Sequence, residues 1–142
     1  MGLDMYLEKR SKFAEQLIDE ETGEKYYDWQ EAGYWRKCNQ IHRWFIDHLG
    51  LEEDFNCEQA EVTKEDLEEL IETCKFVLGR KDKNDAIKVA EEKLPTQGGF
   101  FFGNTDYDDD YYNSLKYTIA ELERAISETD WDNEIICYSC WW

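Results

Sequence analysis

Apolar and polar residues alternate at the start of the chain, where Leu3, Met5 and Leu7 are interleaved with Asp4, Tyr6 and Glu8. That period of two is the mark of a strand with one buried face. Residues 135–142 are rich in β-branched and aromatic side chains and read as a closing strand. A hairpin is expected over residues 13–29, turning at Glu21-Thr22-Gly23-Glu24. Residues 31–49 carry a helical pattern instead: at ~100° per residue Trp35, Cys38, His42, Phe45 and Leu49 share one face, and Arg36, Asn39, Arg43 and Asp47 share an adjoining polar one.

Thr63 opens the clearest helix. Its hydroxyl and Asp66 are spaced as a capping box, Leu67, Leu70, Ile71, Cys74, Val77 and Leu78 form the apolar stripe, and Gly79 supplies a stop. A short helix through Ala86, Ile87, Ala90 and Leu94, capped by Asn84 or Asp82, ends at Pro95, which has no N–H to donate. Residues 100–102, three phenylalanines between glycines, read as a short buried strand. Asp108, Asp109 and Asp110 place charge at the favourable end of a last helix carrying Tyr112, Leu115, Ile119, Leu122 and Ile126. The pattern as a whole predicts a single acidic α+β domain over residues 1–142. Four or five helices pack on a small sheet that includes the first and last strands.

Composition narrows the function classes. The chain has 142 residues, 16 of them Lys or Arg and 34 Asp or Glu, for a net charge of −18. With 42% hydrophobic and 15% aromatic residues it is too apolar for a disordered polyanion. The charge excludes direct binding to a nucleic-acid backbone or to an anionic membrane surface, and no apolar run reaches the ~20 residues of a membrane span. Residues 1–50 hold seven basic and ten acidic side chains, and the remainder nine and twenty-four, so fifteen of the eighteen net charges fall after residue 50. Asp4 and Glu8 interrupt the stretch where a secretory leader would need apolar residues. Five cysteines on irregular spacing suit reduced thiols in a cytoplasm better than a disulfide framework.

No catalytic, metal or cofactor site is expected. Cys38 and His42 lie one turn apart, but on the apolar face, where packing is the better use than nucleophilic chemistry. Cys137 and Cys140 form a C-x-x-C without a second pair, and in a strand they point to opposite faces. The run Asp106 to Asp110 lacks the turn glycine of a calcium loop, and no phosphate-binding glycine motif is present. The remaining constellation is the charge itself. Glu58, Glu61, Glu65, Asp66, Glu68, Glu69 and Glu72 crowd one region and define a candidate partner-binding face for a basic protein surface. Such a face imitates a nucleic-acid backbone and steers the chain toward a nucleic-acid-binding enzyme. The alternative is a solvated face that only keeps the chain dispersed.

Three motifs span nearly the whole chain: Met1-Gly2-Leu3-Asp4-Met5-Tyr6-Leu7, then Gly33-Tyr34-Trp35-Arg36-Lys37-x-Asn39-x-Ile41-His42-x-Trp44-Phe45, then Leu94-Pro95-Thr96-Gln97-x-Gly99-Phe100-Phe101-Phe102-Gly103. Together they resemble a family of small, largely uncharacterised proteins of phages, prophages and bacteria. The resemblance implies a mobile-element setting and carries no enzymatic mechanism. Joined to the charge, it points to an acidic, non-enzymatic inhibitor of a host nucleic-acid-processing enzyme, of the anti-CRISPR type, acting in the bacterial cytoplasm. A second reading is a small anionic-ligand pocket of Tyr6, Arg36, Asn39, His42, Phe101 and Trp141, since arginine offers bidentate donors to carboxylate or phosphate. Against the pocket, Arg36 and Arg43 can instead pair with nearby carboxylates, and Asn39 can bond backbone.

Overall fold

Alternation in the first strand is realised without interruption: Leu3, Met5 and Leu7 are fully buried, and Asp4, Tyr6 and Glu8 lie on the other face. The computed structural model describes residues 2–99 and 102–142. In chain order the elements are β1 (Asp4–Ser11), β2 (Leu17–Ile18), β3 (Lys25–Tyr26), β4 (Gln30–Arg36), α1 (Asn39–Leu49), β5 (Gln59–Val62), α2 (Lys64–Gly79), α3 (Ala86–Lys93), α4 (Asp109–Glu128) and β6 (Glu134–Trp141). Four strands form one antiparallel sheet in the order β4-β1-β6-β5. The fold is α+β, with the first and last strands side by side at the centre of the sheet.

Register decides which residues face inward. β1 pairs with β6 from Asp4↔Trp141 to Ser11↔Glu134, and with β4 from Asp4↔Arg36 to Lys9↔Gln30. Met5, Leu7, Trp35, Val62, Ile136, Tyr138 and Cys140 therefore meet the helices in one core, where they pack with Ile41, Phe45, Leu67, Leu70, Cys74 and Leu115. Tyr138 stacks on Phe45 with ring centroids 4.1 Å apart, and Trp35 donates its indole N–H to the Thr118 hydroxyl at 3.0 Å. The helices cover this inner face only.

The expected helix over residues 31–49 is corrected to a strand, a turn and a shorter helix. Residues 30–36 are β4, Lys37 turns the chain with φ +53°, and α1 begins at Asn39. The helical spacing of Trp35 with Cys38 and His42 was a coincidence of two elements that bury residues against the same core. Gly33 shows why a strand wins. It sits opposite Leu7, and a Cβ there would come within 3.4 Å of both Leu7 and the Trp35 ring, so the indole folds over bare backbone. A bulge between Leu7 and Glu8 leaves Ala32 as the extra residue of β4.

β5, which no pattern announced, lies within the acidic stretch and pairs with β6 from Gln59↔Ser139 to Val62↔Ile136. Phe102 is buried in a loop, not a strand, and Phe100 and Phe101 lie outside the described residues. The hairpin over residues 13–29 is present but shrunk to two pairs, Leu17↔Tyr26 and Ile18↔Lys25. Its turn is held by Asp19, whose carboxylate accepts from the Glu21 and Thr22 amides, and by Gly23 at φ +74°. The α3 cap position falls to Asp85, whose side chain makes no capping bond.

The capping box of α2 is complete: Thr63 Oγ1 accepts from the Asp66 amide at 3.1 Å and Asp66 Oδ2 accepts from the Thr63 amide at 2.8 Å. Asp108 caps α4 by accepting from the Tyr111 amide at 3.1 Å. The two sheet edges differ. On β4, the Tyr34 N–H is taken by Glu121 and its carbonyl by the Tyr117 hydroxyl, both from α4. On the other side β5 ends the sheet.

Leu7→Ala should lower stability by ~2–5 kcal/mol and Thr63→Ala by ~1 kcal/mol, both read from urea unfolding. A Leu7→Ala loss below about 1 kcal/mol would contradict the central, close-packed position of β1.

Candidate functional site

Helix α2 turns its apolar stripe into the core and leaves Glu65, Glu68, Glu69 and Glu72 exposed on the outside. At spacings of three and four these side chains are neighbours on the helix surface. Among the described residues Glu65, Glu68 and Glu72 have no ion-pair partner, and Lys75 turns instead to Glu123 of α4 at 3.7 Å. Phe76 follows on the same side, half exposed, above a groove of about 540 Å³ that runs to Lys93.

The other expected members of the acidic face stand elsewhere. Asp66 is half-buried and occupied: besides capping α2 it bonds His48 Nε2 at 2.8 Å, with His48 stacked on Trp44. Burial pushes the Asp66 carboxyl up, but the Thr63 amide and His48 outweigh it and hold the pKa below its ordinary value. Glu61 is on β5 opposite Cys137, so it belongs to the outer face of the sheet. Glu58 lies in the exposed turn before β5.

The residues of the expected ligand pocket fall on two sides of the sheet. Tyr6, Arg36 and Trp141 are on the outer face, where Arg36 bonds Asp4 at 2.8 Å and Tyr6 packs against Tyr34 with ring centroids 5.3 Å apart. Asn39 and His42 are buried beneath the inner face. The Asn39 side chain donates to the Phe102 and Asn104 carbonyls at 3.0 and 2.9 Å and accepts from the Gln97 amide at 2.9 Å. It thereby clamps the loop after α3 to the start of α1. Arg43 adds a bond to the Thr96 carbonyl at 3.2 Å and an ion pair with Asp47. Phe101 lies outside the described residues.

His42 Nδ1 is 2.7 Å from the Tyr138 hydroxyl, and its ring meets Phe102 edge to face. Its Nε2 has no partner among the described residues. Burial lowers the His42 pKa to about 4, so the ring is neutral at pH 7. Cys38 is buried as well, and burial raises its thiol to about 11. The pair thus offers neither a thiolate nor an accessible base. Cys137 faces outward and Cys140 inward, the latter donating to the Phe55 carbonyl at 3.3 Å. Among the described residues no group of three or more His, Cys, Asp or Glu side chains is arranged to hold a metal, and no helix is long and apolar enough to cross a membrane.

Two features escaped the sequence reading. Phe76 was passed over because it lies off the apolar stripe, although a large aromatic between Lys75 and Val77 was the available signal. The placing of Tyr34 and Ser139 beside Tyr6 on one sheet face is not legible in the sequence, because the spacing of residues 31–36 also fits a helix. Compared with protein-family models, with curated proteins and with solved structures, the chain matches none.

The depressed pKa of His42 has a measurable sign. Below the unfolded value of about 6.5 the unfolded chain takes a proton that the folded chain refuses, so this contribution to stability falls by ~1.4 kcal/mol per pH unit between about pH 6.5 and 4. Urea unfolding at several pH values should show this slope as the difference between wild type and His42→Gln. Parallel pH profiles would mean that His42 titrates normally in the fold.

Proposed function

We propose that the chain is a non-catalytic binding protein that uses the outer face of α2 to occupy a basic, nucleic-acid-binding surface on a partner protein. The observation that carries this reading is the row Glu65, Glu68, Glu69 and Glu72, exposed and, at three of its four positions, without an ion-pair partner among the described residues. At ~1.5 Å of rise per residue the row spans ~10 Å, about one charge every 3 Å. One DNA strand presents a phosphate about every 3.4 Å. The backbone of the row is fixed by the capping box at one end and by the core stripe along its length, so little backbone order remains to be created on binding. Phe76, at the end of the row, offers an apolar anchor of the kind that dominates interface energies.

The resemblance to phage and prophage proteins suggests the partner class: a nucleic-acid-processing enzyme of host defence, met in the bacterial cytoplasm and inhibited by occupation of its nucleic-acid site. The acidic row acts there as steering charge, which raises the encounter rate and rejects acidic partners. The small-ligand reading has less support, because the sheet separates Tyr6, Arg36 and Trp141 from Asn39 and His42.

Affinity capture from host lysate, run in parallel with wild type and with the combined Glu65→Lys, Glu68→Lys, Glu69→Lys, Glu72→Lys variant, tests the reading. A nucleic-acid-binding protein should be retained by wild type alone, with an affinity that falls steeply between 50 and 300 mM salt and with DNA or RNA competing for it. Retention by both proteins, or binding indifferent to salt, overturns it.

A further inference from the structure

We infer that the outer face of the sheet is a second docking surface, and that it takes arginine side chains from an extended segment of a protein partner. The register builds it row by row. Arg36, Asp4 and Trp141 stand abreast, then Tyr34, Tyr6, Ser139 and Gln59, then Glu31, Glu8, Cys137 and Glu61. Side chains directly opposite in such a sheet are within ~5 Å of one another, so the paired rings of Tyr34 and Tyr6 lie in the row next to the paired carboxylates of Glu31 and Glu8. At the rim of this face Trp141 is 63% exposed and Glu31, Gln59 and Glu61 are exposed, while Cys137 and Ser139 in its middle are buried, Ser139 bonded to Glu8.

The chemistry is that of guanidinium recognition, a flat cation received by aromatic faces and by carboxylates at their edges. The chain's own arginines show the two halves of this recognition separately, Arg10 on rings and Arg36 on a carboxylate. Arg10 lies over Tyr27 at 3.9 Å and near Trp29 at 5.1 Å, and Arg36 pairs with Asp4 beside Tyr34. Between these two positions no further cation is bonded among the described residues. Tyr6, Trp141, Glu31 and Glu61 form no side-chain hydrogen bond or ion pair among the described residues. The carboxylates outweigh the cation there: the Tyr6 hydroxyl is pushed up first by burial and then by Asp4, Glu31 and Glu8, against a smaller lowering by Arg36. Lysine fits less well, because it offers a point charge without a plane to stack. This surface is on the sheet layer and the row of α2 is on the helix layer, so the two stand or fall separately.

Two synthetic peptides of equal length and charge, one alternating Arg and Ser and the other Lys and Ser, distinguish the possibilities when titrated into the full chain and followed by NMR. The arginine peptide should move the Trp141 indole N–H signal and the β1 and β6 amides. It should bind roughly three- to fivefold tighter than the lysine peptide, the scale of one exposed cation–π contact. Trp141→Ala and Glu61→Lys, both at exposed positions, should each weaken arginine-peptide binding, and the fourfold charge reversal on α2 should leave the Trp141 shift in place. Equal affinity for the two peptides, shifts confined to α2, or no shift with either peptide overturns the inference.

Discussion

Pairing of the first strand with the last is the constraint on which the rest of the molecule depends. β1 is the central member of the sheet and is bonded on both sides, so one register fixes the inward set Leu3, Met5 and Leu7 and the outward set Asp4, Tyr6 and Glu8. A slip of one residue would exchange the sets and drive carboxylates into the core. Tyr138 shows how far the consequence reaches. Because it faces Leu7 across the pair, its ring stacks on Phe45 and its hydroxyl meets His42, and this seats α1 on the sheet. A long-range pairing of this kind is costly to form early in folding, since the closing entropy of the intervening chain precedes its reward.

Much of this order was legible in the residues, for reasons that differ from element to element. β1 could be read because only one of its faces is buried, which leaves a clean alternation. α2 could be read because its cap, stripe and stop agree with one another. β4 could not, since Trp35 and the residues of α1 bury against the same core and mimic a single helical face. β5 is four residues long, with Val62 buried and Ala60 only partly so, too short a signal within a run of acids. Of the acidic face, the four glutamates on α2 were recognisable from spacing. The diversion of Asp66 to the helix cap and His48, and of Glu61 to the far side of the sheet, are facts of tertiary contact that spacing does not contain.

The charge takes on a different meaning once it is placed. A net charge of −18 on a chain of this size opposes folding by self-repulsion. The structure disperses that cost by using several carboxylates as caps and as partners for its few cations, among them Asp108 at α4, Asp85 with Arg80 and Glu121 with Arg124. Among the carboxylates left without a cation partner in the described residues are Glu65, Glu68 and Glu72 on α2 and Glu31 and Glu61 on the outer sheet face. These two surfaces share a sign but differ in kind, one a row of carboxylates on a convex helix, the other a pleated floor of rings and carboxylates.

The two margins of the sheet are finished differently, and this makes them unequal as edges. On the β4 side, α4 supplies an acceptor and a donor to the backbone of Tyr34, so an incoming strand finds those groups taken. On the β5 side the edge is blunted, among the described residues, by brevity and by the charge of Glu61. The β5 margin is therefore the less guarded of the two, and a strand arriving there meets the charge of Glu61.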